Sequence, residues 1–308
     1  MNKKAFLITV DTEGDNLWAW KEGTPISTEN SGYIPRFQNL CEDYGFKPVY
    51  LINYEMAQNK TFMSYIKEKQ QNSKCEVGLH IHAWNAPPEY PLEKLYGGNP
   101  YITEYPYEIM LKKIISTKEI LEDAIGEKVI SHRSGRWALN SEYLKALAEC
   151  GIEIDCSVTP QLDLSGIAGY SCNCGNNYKD APKTPYYIHP QILEVPMTTR
   201  CIRHISNGTI KHRIKTLIKK EEMWLRPFSK SVASLVYLTQ KIEKEQNSDY
   251  LEFMIHSSEL MPGGSPYFKN ESDIELLYSI LDNYFAYVSQ KGYCGKTLSE
   301  YSKGRIFK

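Results

Sequence analysis

The sequence predicts an α/β protein, a single distorted (β/α)7 barrel with long loops at the C-terminal face of its strands. Three observations predict it. Seven apolar runs rich in β-branched residues alternate with helical patterns along the 308-residue chain, which is the signature of βαβ units around a parallel sheet. No composition break, repeat or low-complexity stretch divides the chain, so 1–308 reads as one domain. Ionisable residues gather where the strand runs end, and that is where a barrel builds its active site.

Residues 4–11 form the first strand, 33–44 a helix and 47–53 the second strand, each bounded by polar or turn residues. A helix over 55–71 leads to strand three at 75–82. The stretch 84–106 holds Trp84, Pro87, Pro88, Pro91, Gly97, Gly98, Pro100 and Pro106, a long loop where a barrel places a lid. Helix 104–125 carries Ile109, Ile114, Ile115, Ile120 and Leu121 at helical spacing. Strand 129–133, helix 140–150 and strand 152–157 follow, then a polar insertion over 159–191. Strand 192–196, helices 211–222 and 229–246, strand 250–256 and helix 272–290 complete the pattern.

With 36 Lys and Arg against 37 Asp and Glu, the net charge of −1 excludes a surface built wholly for nucleic acid. An apolar content of 42% excludes a disordered chain. Residues 200–230 nevertheless carry nine Lys/Arg against Glu221 and Glu222, a surplus near +7. Such a run is first a solvated helix face. As a functional patch it would dock an anionic membrane leaflet or a lipid-linked diphosphate sugar. The eight Cys are spread thinly, and the chain reaches Asp11 before an apolar signal segment could form, which implies a cytoplasmic protein with reduced thiols. Cys172 and Cys174 lack a second pair at zinc-site spacing and read as ordinary loop thiols. No apolar run approaches the roughly 20 residues that cross a bilayer.

Strand one ends in Thr9-Val10-Asp11-Thr12-Glu13-Gly14-Asp15, and strand three in Gly78-Leu79-His80-Ile81-His82. Residues two apart share a face of a strand, so each motif aims a pair of side chains one way. Two imidazoles and a carboxylate suit a divalent ion, Zn²⁺ foremost, with Co²⁺, Ni²⁺ or Mn²⁺ as its neighbours. Asp11 or Glu13 as base and His256 as acid complete the parts for hydrolysis of an amide or ester. His132 precedes Arg133 within its strand and points away from it, so it reads as structural. His189, His204 and His212 carry no metal spacing.

In their order these motifs resemble the NodB-type polysaccharide deacetylases: Thr9 to Asp15, Glu76 to His82, His132 to Trp137, Ile154-Asp155-Cys156-Ser157, and Phe253-Met254-Ile255-His256. The segment His80 to Pro88, with Trp84-Asn85, is similar to the WbmS-like branch of surface-polysaccharide proteins. The resemblance implies a metal-dependent hydrolase that removes an N- or O-acyl group from a sugar in bacterial O-antigen or capsule biosynthesis, the sugar lipid-linked or nucleotide-linked. It implies Asp11 as base and Glu13, His80 and His82 as metal ligands, with exchange of the Asp11 and Glu13 roles the alternative. Arg133 would orient the base, Asp155 support a catalytic partner, His256 act as acid, and Trp84, Arg136 and Trp137 meet the substrate. Two departures stand out. The family's adjacent Asp pair is here Asp11-Thr12, and its histidines four apart are here two apart. The rivals are a glycoside hydrolase on a related seven-stranded barrel and a non-catalytic sugar-binding scaffold.

Overall fold

All seven apolar runs become strands of one sheet. In β1 (Ala5–Thr12) every residue is buried, as the continuous apolar run of a strand covered on both faces requires. The computed structural model describes residues 4–15, 17–173, 175–203, 220–245 and 248–303. After β1 come β2 (Pro48–Ile52), β3 (Glu76–Ile81), β4 (Ser131–Ser134), β5 (Ile154–Asp155), β6 (Tyr186–His189), β7 (Ile192–Glu194), β8 (Thr199–Arg203), β9 (Lys220–Trp224), β10 (Tyr250–His256) and β11 (Cys294–Gly295). The main sheet runs β10-β1-β2-β3-β4-β5-β7-β6, with β11 beside β1, and curls into a distorted, open (β/α)7 barrel. Pairing is parallel from β10 to β7, and β6 adds an antiparallel edge. Between β7 and β10 the wall is joined by single bonds: Tyr250 Oη donates to Pro196 O (2.5 Å), Glu252 N to Thr198 Oγ1 (2.9 Å) and Met254 N to Leu225 O (3.0 Å).

The helices are α1 (Ile34–Asp43), α2 (Tyr54–Ala57), α3 (Lys60–Gln71), α4 (Tyr107–Ile125), α5 (Ser141–Glu149), α6 (Val232–Glu245), α7 (Glu271–Gln290) and α8 (Leu298–Ser302). The helix expected over 55–71 is two. Gln58 closes α2, and the Asn59 side chain accepts from Phe62 N to start α3. Of the helix expected over 211–222, residues 211–219 lie outside the described residues, as do His204 and His212. Lys220 to Trp224 form a strand instead, because they pair with β8. The basic segment is thus described only at its flanks, where Arg200 binds Glu245 (2.8 Å), Arg226 binds Glu259 (3.0 Å) and Lys230 binds Asp273 (2.6 Å). Those cations are neutralised within the chain. Cys172 is disulfide-bonded, which overturns the expectation of an ordinary thiol: Cys172 stands in a half-exposed loop outside the core, where bonding turns on which sulfur comes near. Cys41, Cys75, Cys150, Cys156, Cys201 and Cys294 are free. Among the described residues no helix is long and apolar enough to cross a membrane.

Strand parity positions everything that follows. Ala5 and Leu7 pack inside the barrel with Val49, Leu51, Ile154, Cys156, Leu193, Val195 and Tyr250, and α8 closes this end with Leu298 and Tyr301. The alternate residues Phe6, Ile8, Val10, Val77, Leu79, Ile81, Leu251, Phe253 and Ile255 belong to a second core shared with the helices. Following the interior parity upward, the apolar floor gives way to Thr9, Asp11, His80, Arg133, Glu252 and His256. Loops close over this polar end. Lys113 Nζ donates to Ala86 O (2.5 Å) and Pro88 O (2.7 Å), anchoring the 84–106 loop to α4. The Glu104 carboxylate accepts from Tyr101 N (2.7 Å), Tyr170 N (3.1 Å) and Ser171 Oγ (2.7 Å), which ties that loop to the 159–191 insertion.

Candidate active site

Glu13, His80 and His82 converge at the top of β1 and β3, with one ligand atom from each within 4.8 Å of the others, and all three residues are buried. Glu13 Oε2 lies 2.5 Å from His82 Nε2 and 3.4 Å from His80 Nε2, and the two Nε2 atoms are 3.2 Å apart. His80 Nδ1 is 2.9 Å from the Arg133 carbonyl oxygen. A carbonyl only accepts, so Nδ1 donates and the neutral ring aims its lone pair from Nε2 at Glu13 and His82. Lone pairs meeting this way repel unless a cation or proton sits among them, and a ligand histidine held through its other nitrogen is the usual support of a metal site. Charge tells the same story. Burial pushes Glu13 up, yet His82 and His80 hold it well below the usual carboxylate range. Burial also pushes both imidazoles down. It prevails at His82, whereas Asp11 and Glu13 hold His80 above its ordinary value.

Gly135 is what lets His82 stand there. A Cβ at this position would lie 2.5 Å from Ile81 O and 2.7 Å from His82 Nδ1. Gly135→Ala is therefore expected to displace the His82 ring at a stability cost of about 1–3 kcal/mol, and to weaken roughly 10–100-fold the affinity for any divalent metal the three residues would hold. Chelator competition and thermal melting measure the two effects. Unchanged metal affinity would show that His82 does not need this position.

Asp11 belongs to a different set. Its Oδ1 accepts from Arg133 Nη1 at 2.6 Å. Arg133 is wholly buried and also donates to Thr9 Oγ1 (2.9 Å), Cys156 O (3.0 Å) and Glu252 Oε1. Burial pushes Asp11 up, but Arg133 above all, with His80 and His256, holds it below its ordinary value. It is an anion aimed by a guanidinium. Glu252 is pushed up to about 7 by burial, with Arg133 pulling the other way. Glu252 was not foreseen, although a signal existed. It is an acid inside the apolar strand Tyr-Leu-Glu-Phe-Met-Ile-His, at the same parity as His256.

His256 faces these groups from β10, directly opposite Asp11 in register. Its Nε2 lies 3.8 Å from Asp11 Oδ2 and 3.7 Å from Glu13 Oε1. Asp155, expected to support a catalytic partner at the mouth, faces the other way. Its register partners are His132 and Glu194, all three on the outward parity while Ile154 and Cys156 point inward. His132 Nδ1 sits 2.6 Å from Asp155 Oδ1 and its Nε2 2.9 Å from Tyr143 Oη, a buried network behind β4. His132 is thus structural, as its place beside Arg133 implies.

A cavity of about 300 Å³ opens over the site, lined by Asp11, Glu13, Leu17, His80, His82, Trp84, Asn99, Arg136, Trp137 and His256. Trp84 leans on His82, ring centroids 4.4 Å apart, and stacks on Trp20 at 6.0 Å. Trp137 packs against Trp224 at 5.3 Å. Arg136 lines the cavity, but its guanidinium is bonded to Asn99 O and, at 2.7 Å, Ala168 O, and lies over the Tyr101 ring at 3.9 Å. It holds the two lid segments together.

No protein-family model matches the sequence, and no curated protein matches it. Solved structures share its fold. A candidate polysaccharide deacetylase from Mycobacterium smegmatis is 14% identical with a TM-score of 0.55, over 97% of this chain and 90% of its own. The 4-alpha-glucanotransferase from Thermococcus litoralis is also 14% identical with a TM-score of 0.57, over 99% of this chain but only 41% of the larger protein. The Xyl-CE4 domain of a multidomain xylanase from the hindgut metagenome of Trinervitermes trinervoides is 12% identical with a TM-score of 0.48, over 97% of this chain and 89% of that one. At such identities the likeness to the first two is one of fold, and those two carry differently named activities. The chemistry must be argued from the site.

Proposed function

We propose that the chain is a metal-dependent hydrolase that removes an N- or O-acyl group from a sugar of a bacterial surface polysaccharide, all of 1–308 acting as one NodB-like domain. The observation that carries this reading is the convergence of Glu13, His80 and His82 beside a second carboxylate, Asp11, that is bonded elsewhere. Glu13, His80 and His82 would hold the ion, and this N₂O donor set suits Zn²⁺ or a neighbouring divalent metal. Such an ion supplies Lewis acidity toward a carbonyl oxygen and lowers the pKa of a water.

The chain's own groups do the rest. Asp11, kept anionic and aimed by Arg133, takes the proton of the attacking water. His256, facing Asp11 across the cavity, donates a hydrogen bond toward the leaving atom, and the proton that Asp11 has taken passes to that atom as it departs. Trp84 and Trp137 offer ring faces to the sugar, and Arg136 keeps the lids over it. Two histidines at one strand end have no part in a two-carboxylate glycosidase, and a stoichiometric ion in the purified protein would set the reading apart from a sugar-binding scaffold, which needs none.

Metal analysis of the purified protein, with acetate and reducing-end assays on an acetylated oligosaccharide, tests the reading. Acetate with bound metal supports it. Reducing ends instead of acetate, or neither product nor metal, would overturn it. Asp11→Asn is expected to keep its metal and lower kcat by roughly 10²–10⁴-fold, the worth of a positioned base. A variant with undiminished kcat removes Asp11 from the chemistry.

A further inference from the structure

Arg226 belongs to the basic segment 200–230. Its Nη2 lies 3.1 Å from His256 Nδ1 and 3.0 Å from Glu259 Oε1. A guanidinium has donors and no acceptor, so both contacts are donations and Nδ1 must accept. A neutral imidazole that accepts at Nδ1 carries its hydrogen on Nε2. We propose that Arg226 is a positioning residue that holds His256 in the tautomer whose hydrogen sits on Nε2, the nitrogen that faces Asp11 and Glu13.

The guanidinium is itself held in place. Arg226 is only 9% exposed and Glu259 is wholly buried. Phe228 and Tyr267 pack their rings 5.3 Å and 5.8 Å from the guanidinium carbon. Glu259 Oε2 accepts from the His256 backbone N at 2.8 Å, so one acid fixes both the strand end and the cation beside it. The same Oε2 lies 3.4 Å from His256 Nδ1 and is the competing partner. Without Arg226 the ring would donate from Nδ1 to Glu259 and turn a lone pair toward the cavity. Arg226 thus decides which nitrogen presents a donor. The catalytic meaning of this rests on the deacetylase reading, in which the His256 Nε2 hydrogen bonds the leaving atom while the proton that atom takes up is the one Asp11 has drawn from water; the tautomer itself does not.

The test uses the full chain labelled with ¹⁵N-histidine, long-range ¹H–¹⁵N correlation at neutral pH, and His256→Gln to assign the ring. The parent should carry the hydrogen on Nε2, and Arg226→Lys, which keeps a donor, should retain it there. Arg226→Met should move it to Nδ1. On an N-acetylglucosamine oligosaccharide that variant should lose about 10–100-fold in kcat, the usual worth of an outer partner that orients a working group, with KM little changed. If the lone Glu259 charge prevents folding, the parent ring decides by itself, since a hydrogen on Nδ1 there already overturns the proposal. A parent ring protonated on Nδ1, or an Arg226→Met ring still protonated on Nε2, overturns the proposal. A parent with the Nε2 hydrogen and no acyl hydrolysis sinks the deacetylase reading alone.

Discussion

Alanine at both His80 and His82 is expected to abolish stoichiometric divalent metal and reduce acyl hydrolysis by well over the roughly 10–100-fold that follows loss of a single outer partner of a metal site. The two imidazoles supply two of the three converging donor atoms, and a lone buried carboxylate is a poor ligand set for Zn²⁺. They also hold Glu13 in its anionic form, so in the double variant burial has less opposition and Glu13 takes up a proton at higher pH. The single variants should differ. His80 is oriented by the Arg133 carbonyl, whereas His82 Nδ1 is buried with no hydrogen-bond partner among the described residues, so His80→Ala should cost more affinity than His82→Ala. Elemental analysis after dialysis against trace metal is the measurement. Full occupancy in the double variant would remove these residues as ligands.

Strand runs and their ends were legible because burial on both faces writes a continuous apolar run, and each of the seven runs pairs in the sheet. The pairs Asp11/Glu13 and His80/His82 were legible for a related reason, since residues two apart share a face whatever lies around them. What separates the first pair is Arg133, which bonds Asp11 from a strand 122 residues away. No local spacing carries that. Asp155 misled because β5 is two residues long, too short for its sequence to declare which parity faces inward. Its register partner His132 points outward with it. Glu252 lies below the strand ends, inside an apolar run, and Arg226 lies in a run of like charges. The hairpin of β6 and the ribbon of β8 and β9 are too polar to write an apolar period.

Arg133→Met should be the most damaging single substitution, about 3–5 kcal/mol, because it leaves buried carboxylates without their cation. A loss of that size corresponds to a fall on the order of 10 °C in Tm. Asp11 and Glu252 are both buried, and methionine fills the volume of the guanidinium stem without replacing its bonds to Asp11, Glu252, Thr9 and Cys156. The pH dependence follows from the direction of the shifts. Burial already pushes Glu252 up to about 7 with Arg133 beside it, and losing that opposing charge must carry both Glu252 and Asp11 higher. A carboxyl whose folded pKa exceeds its unfolded one binds protons in the folded state that the unfolded chain has released, so its stability contribution is present at low pH and lost as pH rises through the folded value. The penalty of Arg133→Met should therefore be smaller near pH 5 than near pH 8. Adding Glu252→Gln, which removes one stranded charge, should recover part of it at the higher pH. Thermal melts of the parent, Arg133→Met and the double variant across this range are the check. A loss that is equal at all pH values, with no recovery from Glu252→Gln, would mean that Arg133 contributes packing and not charge. Activity should follow the same line: an Asp11 that holds its proton to higher pH cannot take one from water, so the acidic limb of kcat in Arg133→Met should move upward.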